Sequence, residues 1–309
     1  VTAAFARRSP AAVAFALATV YVVWGSTYLA MRITDRTMPP LLMSSARFFV
    51  AGSLLYALTR RGRRPTLREW AASAIVGAAL LGVGNAGVAW AETRIESGLA
   101  ALIVAVIPLY VALFDRVFFG RRLSAVATVG LLVGFAGVAL LVRPGGTSHV
   151  GAALILLGTT SAWAGGSLYA RDAPVPQNPL LAASMQMLCA SVLLAVAGVA
   201  SGEVGAVHRD AFGAEPLLAF AFLVVFGSLL AFSAYAWLLK NVRISVVATY
   251  AFVNPVVAVA LGAVFLGEAI TWTTVVAGTA IVVAVVLIVG AKPVAARRKL
   301  RAQPATLTS

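Results

Sequence analysis

A single cysteine, Cys189, sits inside an apolar run and rules out an internal disulfide, so it says nothing about redox compartment. No cluster of His, Cys, Asp or Glu offers a nucleophile with its base or a set of metal ligands, and both histidines, His149 and His208, fall between apolar runs. The chain holds no Gly-x4-Gly-Lys-Ser/Thr loop to cradle a nucleotide. An enzyme, a metal or cofactor protein and an ATP-driven pump are therefore excluded. The loops are short, the longest being Ser201 to Glu215, which leaves no soluble region for a receptor or an assembly factor. Charge is scarce at 11% of residues, whereas 61% are hydrophobic and the mean hydropathy is +0.96. Soluble domains carry roughly 25% charge. This is the composition of an integral membrane protein, with the lipid bilayer as its partner. The formal charge of +14 comes from basic residues clustered between apolar runs, where anionic headgroups rather than nucleic acid account for it.

A spanning helix needs about 20 apolar residues. Ten segments approach that length: 11–31, 40–59, 70–91, 97–115, 124–142, 150–169, 180–200, 216–238, 246–266 and 272–291. The first is longer than the h-region of a signal peptide and counts as a span. The continuous runs do not alternate as barrel strands do. With the N-terminus placed inside, 18 of the 24 Lys and Arg fall in cytoplasmic loops and tails and five in outer loops, with Arg47 within a span. Both termini are expected to be cytoplasmic.

ALIVAVIPLYVALFDRVFFGRRLS from Ala101 and ATYAFVNPVVAVALGAVFLGEAIT from Ala248 repeat one plan. An offset of 147 residues carries Pro108 onto Pro255, Phe118 onto Phe265 and Gly120 onto Gly267. Near the start of each half, Trp24 to Arg32 corresponds to Trp163 to Arg171 at an offset of 139. The expected fold class is all-α: ten transmembrane helices as two inverted five-helix repeats, because five crossings per half force the second half in from the opposite side. The chain then divides into a tail (1–10), a first repeat (11–145), a second repeat (146–291) and a basic tail (292–309). After the twin glycines the charge reverses, Arg121 against Glu268, as suits opposite membrane faces.

VVWGSTYLAMRI at Val22, SARFFVAG at Ser45, SGLAALIVAVIPLY at Ser97, SAYAW at Ser233 and YAFVNPVVAVALGAVFLGEAIT at Tyr250 resemble the drug/metabolite transporter superfamily in its ten-helix EamA-type branch. The resemblance runs from Ala11 to Ala291. It implies a bacterial inner-membrane carrier that exports amino acids or related metabolites, with a central cavity between the repeats. Many relatives place Glu after the glycine in both halves; Arg121 departs from that pattern.

Inverted repeats give two pseudo-equivalent states, each open to one side, so alternating access to a small-molecule substrate is the expected mechanism. A drug or other organic metabolite is the alternative cargo, and a channel the alternative mechanism. Candidate substrate-binding residues are the polar and aromatic side chains deep in the runs: Trp24, Ser26, Thr27, Asn85, Trp163, Tyr235, Tyr250 and Asn254. The competing reading is interhelical packing for the small polar residues and an interfacial belt for Trp90 and Trp237. Pro108 and Pro255 are candidate hinges, since a mid-helix proline frees a carbonyl. Arg47, about seven residues or roughly 10 Å into its span, is expected to pair with Asp35 or Glu92, the other reading being attraction of a substrate carboxylate. Asp115 is expected to form an interfacial ion pair, and Glu92 and Glu268 to lie at the outer rim. Gly130, Gly134 and Gly137 read as packing within a monomeric bundle.

Overall fold

The computed structural model describes residues 9–60, 64–120, 124–142, 150–207, 213–242, 244–247 and 249–290. Arg121, Arg122, His149, His208 and the basic tail lie outside them. Among the described residues every regular element is helical. The long helices are α1 (Pro10–Thr34), α2 (Pro40–Thr59), α3 (Leu67–Glu92), a broken pair α4 (Ser97–Val104) and α5 (Ile107–Phe119), α6 (Ala125–Val142), α7 (Val150–Asp172), α8 (Pro179–Ala200) and α9 (Ala214–Asn241). A second broken pair, α10 (Ile244–Val247) and α11 (Tyr250–Leu266), precedes α12 (Trp272–Gly290). Seven helical stretches are long and apolar enough to cross a membrane, the α4–α5 pair counting as one, and three shorter apolar helices, Ala125–Leu140, Val253–Leu266 and Trp272–Ile288, accompany them.

Local chemistry sets the ends. Pro10, Pro40 and Pro179 start α1, α2 and α8, where a missing N–H costs nothing. Thr66 and Glu69 form a reciprocal capping box on α3. Gly267 ends α11 in the left-handed region at φ 67°, and Gly120 sits after α5 at φ 64°. The twin glycines of the sequence thus share one conformation that other residues adopt only with strain.

Two of the helices widen into π-turns, over Ala78–Asn85 in α3 and Leu223–Phe232 in α9. The 147-residue offset carries the first stretch onto 225–232, within the second. Stretches of this kind concentrate at functional sites. The breaks before the two prolines fall at Ala105–Val106 and, just before α11, at Thr249. Pro108 differs from expectation: as the second residue of α5 it opens a helix, with no intrahelical bond to lose, whereas Pro255 lies inside α11.

The two halves interleave. α1 packs along α11, α2 along α8, α3 against α7 and α8, and α6 along α12. Gly130, Gly134 and Gly137 face α12 of the same chain. Gly25 is where α1 meets α11 most closely: a Cβ there would lie 2.6 Å from the Val257 Cβ and 3.3 Å from the Asn254 carbonyl oxygen. A substitution at Gly25 would push these two elements apart.

Candidate functional site

The interleaving leaves a cavity with about 500 Å³ of space between atoms, walled by both halves. From the first half come Trp24, Thr27, Tyr28 and Met31 of α1, Gly84, Asn85 and Val88 of α3, and Val104 and Ile107 at the α4–α5 break. The second half supplies Thr159, Thr160 and Trp163 of α7 with Tyr250 and Asn254 of α11. Six of the residues singled out by sequence meet here: Trp24, Thr27, Asn85, Trp163, Tyr250 and Asn254.

The aromatic wall is built edge to face. Trp24 meets Trp163 at 5.5 Å and 85° and Tyr250 at 5.4 Å and 89°. Such pairs place the positive edge of one ring on the negative face of the next. Tyr235 does not line the cavity but stands behind it, 4.9 Å from Trp24 between ring centroids. Its hydroxyl accepts from Trp163 Nε1 at 3.2 Å and lies 2.7 Å from Ser167 Oγ, which fixes the indole. Trp24 Nε1 donates to the Gly227 carbonyl at 3.3 Å. The Tyr250 hydroxyl is buried and has no hydrogen-bond partner among the described residues. The amide nitrogen of Asn254, oriented as its neighbours require, donates to the carbonyls of Tyr250 (3.2 Å) and Tyr21 (3.0 Å), tying α11 to α1. The Tyr21 and Thr249 hydroxyls bond alongside. Ser26 is not part of the site: its hydroxyl donates to the Val22 carbonyl at 2.7 Å. The Asp115 side chain lies outside the described residues.

Arg47 overturns the expected pairing. It is 2% exposed, and no carboxylate among the described residues lies within ion-pair distance. Its Nε donates to Ser228 Oγ at 2.8 Å and its Nη1 to Asn85 Oδ1 at 3.3 Å. Both acceptors lie in the π-turns. Burying a guanidinium costs on the order of several kcal/mol, and two neutral hydrogen bonds at about 1.5–3 kcal/mol each to a charged group offset only part of it. Snorkelling is prevented because the head group points into the bundle core, where Gly227 of α9 adjoins it.

One turn beyond Met31 and Val88 of the cavity lining stand Asp35 and Glu92, which with Arg32 make up a polar plug. Arg32 Nη1 donates to the carbonyls of Glu92 and, at 3.3 Å, Ile95. Glu92 is fully buried rather than at a rim, and neither its carboxylate nor that of Asp35 has a hydrogen-bond partner among the described residues. Burial holds the Asp35 carboxyl well above the usual carboxylate range, with Arg32 opposing and Glu203 adding to the shift. Beyond this plug an open vestibule of about 880 Å³ is lined by Asp35, Arg36, Trp90, Arg94 and Glu203 among others. Trp90 there carries the Arg94 guanidinium 3.7 Å from its ring centroid.

Glu268, half-buried in the loop after α11, joins the two halves. Its carboxylate reaches across the halves to the N-terminus of α4, accepting from the Ser97 and Gly98 N–H groups at 2.9 and 3.1 Å and from Ser97 Oγ at 2.8 Å. Glu203 caps α2 in the same way, through the N–H groups of Leu41 and Leu42 at 3.3 and 2.9 Å.

Tyr28, Thr159 and Thr160 escaped sequence reasoning, although Tyr28 stands one turn after Trp24 and Thr159 one turn before Trp163. That spacing was the available signal.

An apolar helical bundle that encloses an aromatic and polar cavity between two interleaved halves defines a membrane transporter. The chain belongs to the EamA-like transporter family, whose profile matches residues 11–143 and 150–290. It is 40% identical over 278 residues to the uncharacterized inner membrane transporter YedA of Escherichia coli (strain K12), covering 88% of this chain and 89% of that one. A probable terminal-alkyne amino-acid exporter of Streptantibioticus cattleyicolor is 27% identical over 263 residues, with 82% and 85% covered. A crystal structure of a protein with 22% identity superposes with a TM-score of 0.64 over 90% of this chain and 96% of the other, a likeness of fold. The protein is a multi-pass transporter of the inner membrane.

Proposed function

We propose that the protein is a secondary exporter of amino acids or related small metabolites, working as a monomer by alternating access between two inverted halves, 11–145 and 146–291. The observation that carries this reading is the cavity walled by both halves, since relative motion of the halves would expose it to either face. Ten spans are supported by adding the three shorter apolar helices to the seven long ones, and cytoplasmic termini by the excess of Lys and Arg in the loops of that side. α6 has 18 residues, α11 has 17 extended by α10, and α12 has 19. Spans run from about 17 to 25 residues. The buried Tyr250 hydroxyl and the Asn85 amide suit a polar head, and the faces of Trp24 and Trp163 suit an organic side chain. The amino-acid exporter among the relatives supports the substrate class. The aromatic lining of Trp24, Tyr28, Trp163 and Tyr250 also favours a second cargo, aromatic drugs or metabolites without a zwitterionic head.

Counterflow in proteoliposomes tests the reading. Labelled neutral amino acids should exchange through wild-type protein, and Trp163→Ala, which removes one wall, should cut the rate at least about tenfold, equivalent to about 1.4 kcal/mol. A full panel of amino acids without exchange would discard that cargo in favour of the second.

A further inference from the structure

Arg47 has more hydrogen-bonding capacity than the protein uses. Its Nε is held by Ser228, which fixes the plane of the guanidinium, while Nη1 makes one bond of 3.3 Å to an amide that itself lines the cavity. Nη2 has no hydrogen-bond partner among the described residues. Gly227 lets α9 pack directly against it: a Cβ there would lie 2.7 Å from Nη2 and 3.0 Å from the Cγ2 of Thr27, a cavity residue that Nη2 thus adjoins. The end-on edge formed by Nη1 and Nη2 therefore stands behind the wall made by Asn85 and Thr27, with three N–H donors unspent.

We infer that Arg47 is the anion-recognising group of the cavity and that its solutes are monocarboxylates, an inference that rests on the transporter reading. A carboxylate accepts from Nη1 and Nη2 together as the Asn85 side chain swings aside, and the rest of the solute lies against Trp24 and Trp163. The planar fork matches a carboxylate in a way an ammonium cannot. The pairing also supplies a counter-charge that no described residue gives, because Asp35 and Glu92 belong to the plug and form no ion pair with Arg47. Cationic organic compounds are rejected on the same grounds, since a positive charge beside a buried guanidinium has no compensation.

The test uses full-length protein in detergent, with tryptophan fluorescence as readout, because Trp24 and Trp163 line the cavity. The probes are phenylacetate, L-phenylalanine, L-phenylalaninamide and phenethylamine, which share a ring and differ in the carboxylate. The two carboxylates should bind about 30-fold or more tightly than the amide and the amine. Arg47→Gln should bring the acids down to the level of the amide, Arg47→Lys should retain part of the preference, and Ser228→Ala should weaken acid binding by a smaller factor. Arg68→Gln, at an exposed helix start, should change nothing. If Arg47→Gln fails to elute as a monodisperse peak, Arg47→Lys and Ser228→Ala carry the comparison. Equal binding of acid and amide, acid binding indifferent to Arg47→Lys and Ser228→Ala, or no binding of either acid would overturn the inference. Flux in proteoliposomes separates it from the reading beneath: carboxylate binding without flux sinks transport and leaves Arg47 in its role, whereas flux indifferent to the carboxyl group keeps transport and removes Arg47.

Discussion

Asp35 shows at the scale of one residue how this bundle tolerates polar groups. Its two carboxylate oxygens are buried without a hydrogen-bond partner among the described residues, and the nearby Arg32 spends its Nη1 on backbone carbonyls instead. Because burial raises its native pKa above the unfolded value, the folded chain binds a proton there that the unfolded chain has released. Its contribution to stability is thus complete at acid pH and falls as pH climbs from about 4, the ordinary carboxylate value, through the raised native value. Asp35→Asn keeps the shape and removes the charge. Its apparent unfolding temperature in detergent should exceed that of wild type at neutral pH, by the equivalent of about 1 kcal/mol or more, and the two should converge near pH 4. A constant difference at every pH would refute this account. The same scale shows what the sequence discloses. Trp24, Asn85 and Trp163 announce themselves as aromatic or amide groups inside apolar runs, and they do meet. Ser26 met the same criterion and fails it for a geometric reason, since residues two apart on a helix do not share a face with Trp24. Arg47 was legible as an anomaly, but its surroundings depend on Ser228, 181 positions away, which no local pattern encodes.

Among the elements, the α4 N-terminus and Glu268 form a clasp between the halves. The first N–H groups of a helix have no intrahelical acceptor and carry the positive end of its dipole, so a carboxylate that accepts two of them is doubly favoured. Replacing such a cap typically costs about 0.5–2 kcal/mol. Glu268→Ala should therefore lower the apparent unfolding temperature by the equivalent of about 1–2 kcal/mol, and Glu268→Gln, which retains an acceptor without the charge, by less. Unchanged unfolding of both variants would show the clasp to be energetically idle. The element pattern itself was largely readable. Each of the ten apolar runs falls on a helix or a broken pair, and the twin glycines predicted equal ends. The π-turns were not, because Ala78–Asn85 and Leu223–Phe232 are as apolar as any helical run and differ only in how their carbonyls are shared. The clasp was hidden for another reason: a glutamate after a helix-ending glycine reads as a surface residue until the chain folds Ser97 beneath it.

For the whole molecule, the plug and the clasp lie at one end of the cavity, which the proposed topology places at the outer face. Arg32, Glu92 and the Glu268–Ser97 bond must all part before a solute can leave that way. The proposed symmetry does not reproduce this at the other end. The position equivalent to Glu268 is Arg121, and a cation would be repelled by the positive end of a helix N-terminus. On the proposed topology the outer end, with its clasp, should be held more firmly than the inner one, and the resting protein should open inward. Single cysteines at Thr27 and Thr160, placed in a Cys189→Ser background, report this directly through a membrane-impermeant thiol reagent applied to oriented vesicles. In an alternating carrier both positions should react from the cytoplasmic face in the wild type, and Glu268→Ala should shift reactivity toward the outer face while lowering it at the inner one. The reciprocal change is the diagnostic part, because one cavity cannot face both sides in the same instant. Reactivity that rises at the outer face with no loss at the inner one describes a continuous pore, and it would replace the carrier with a channel.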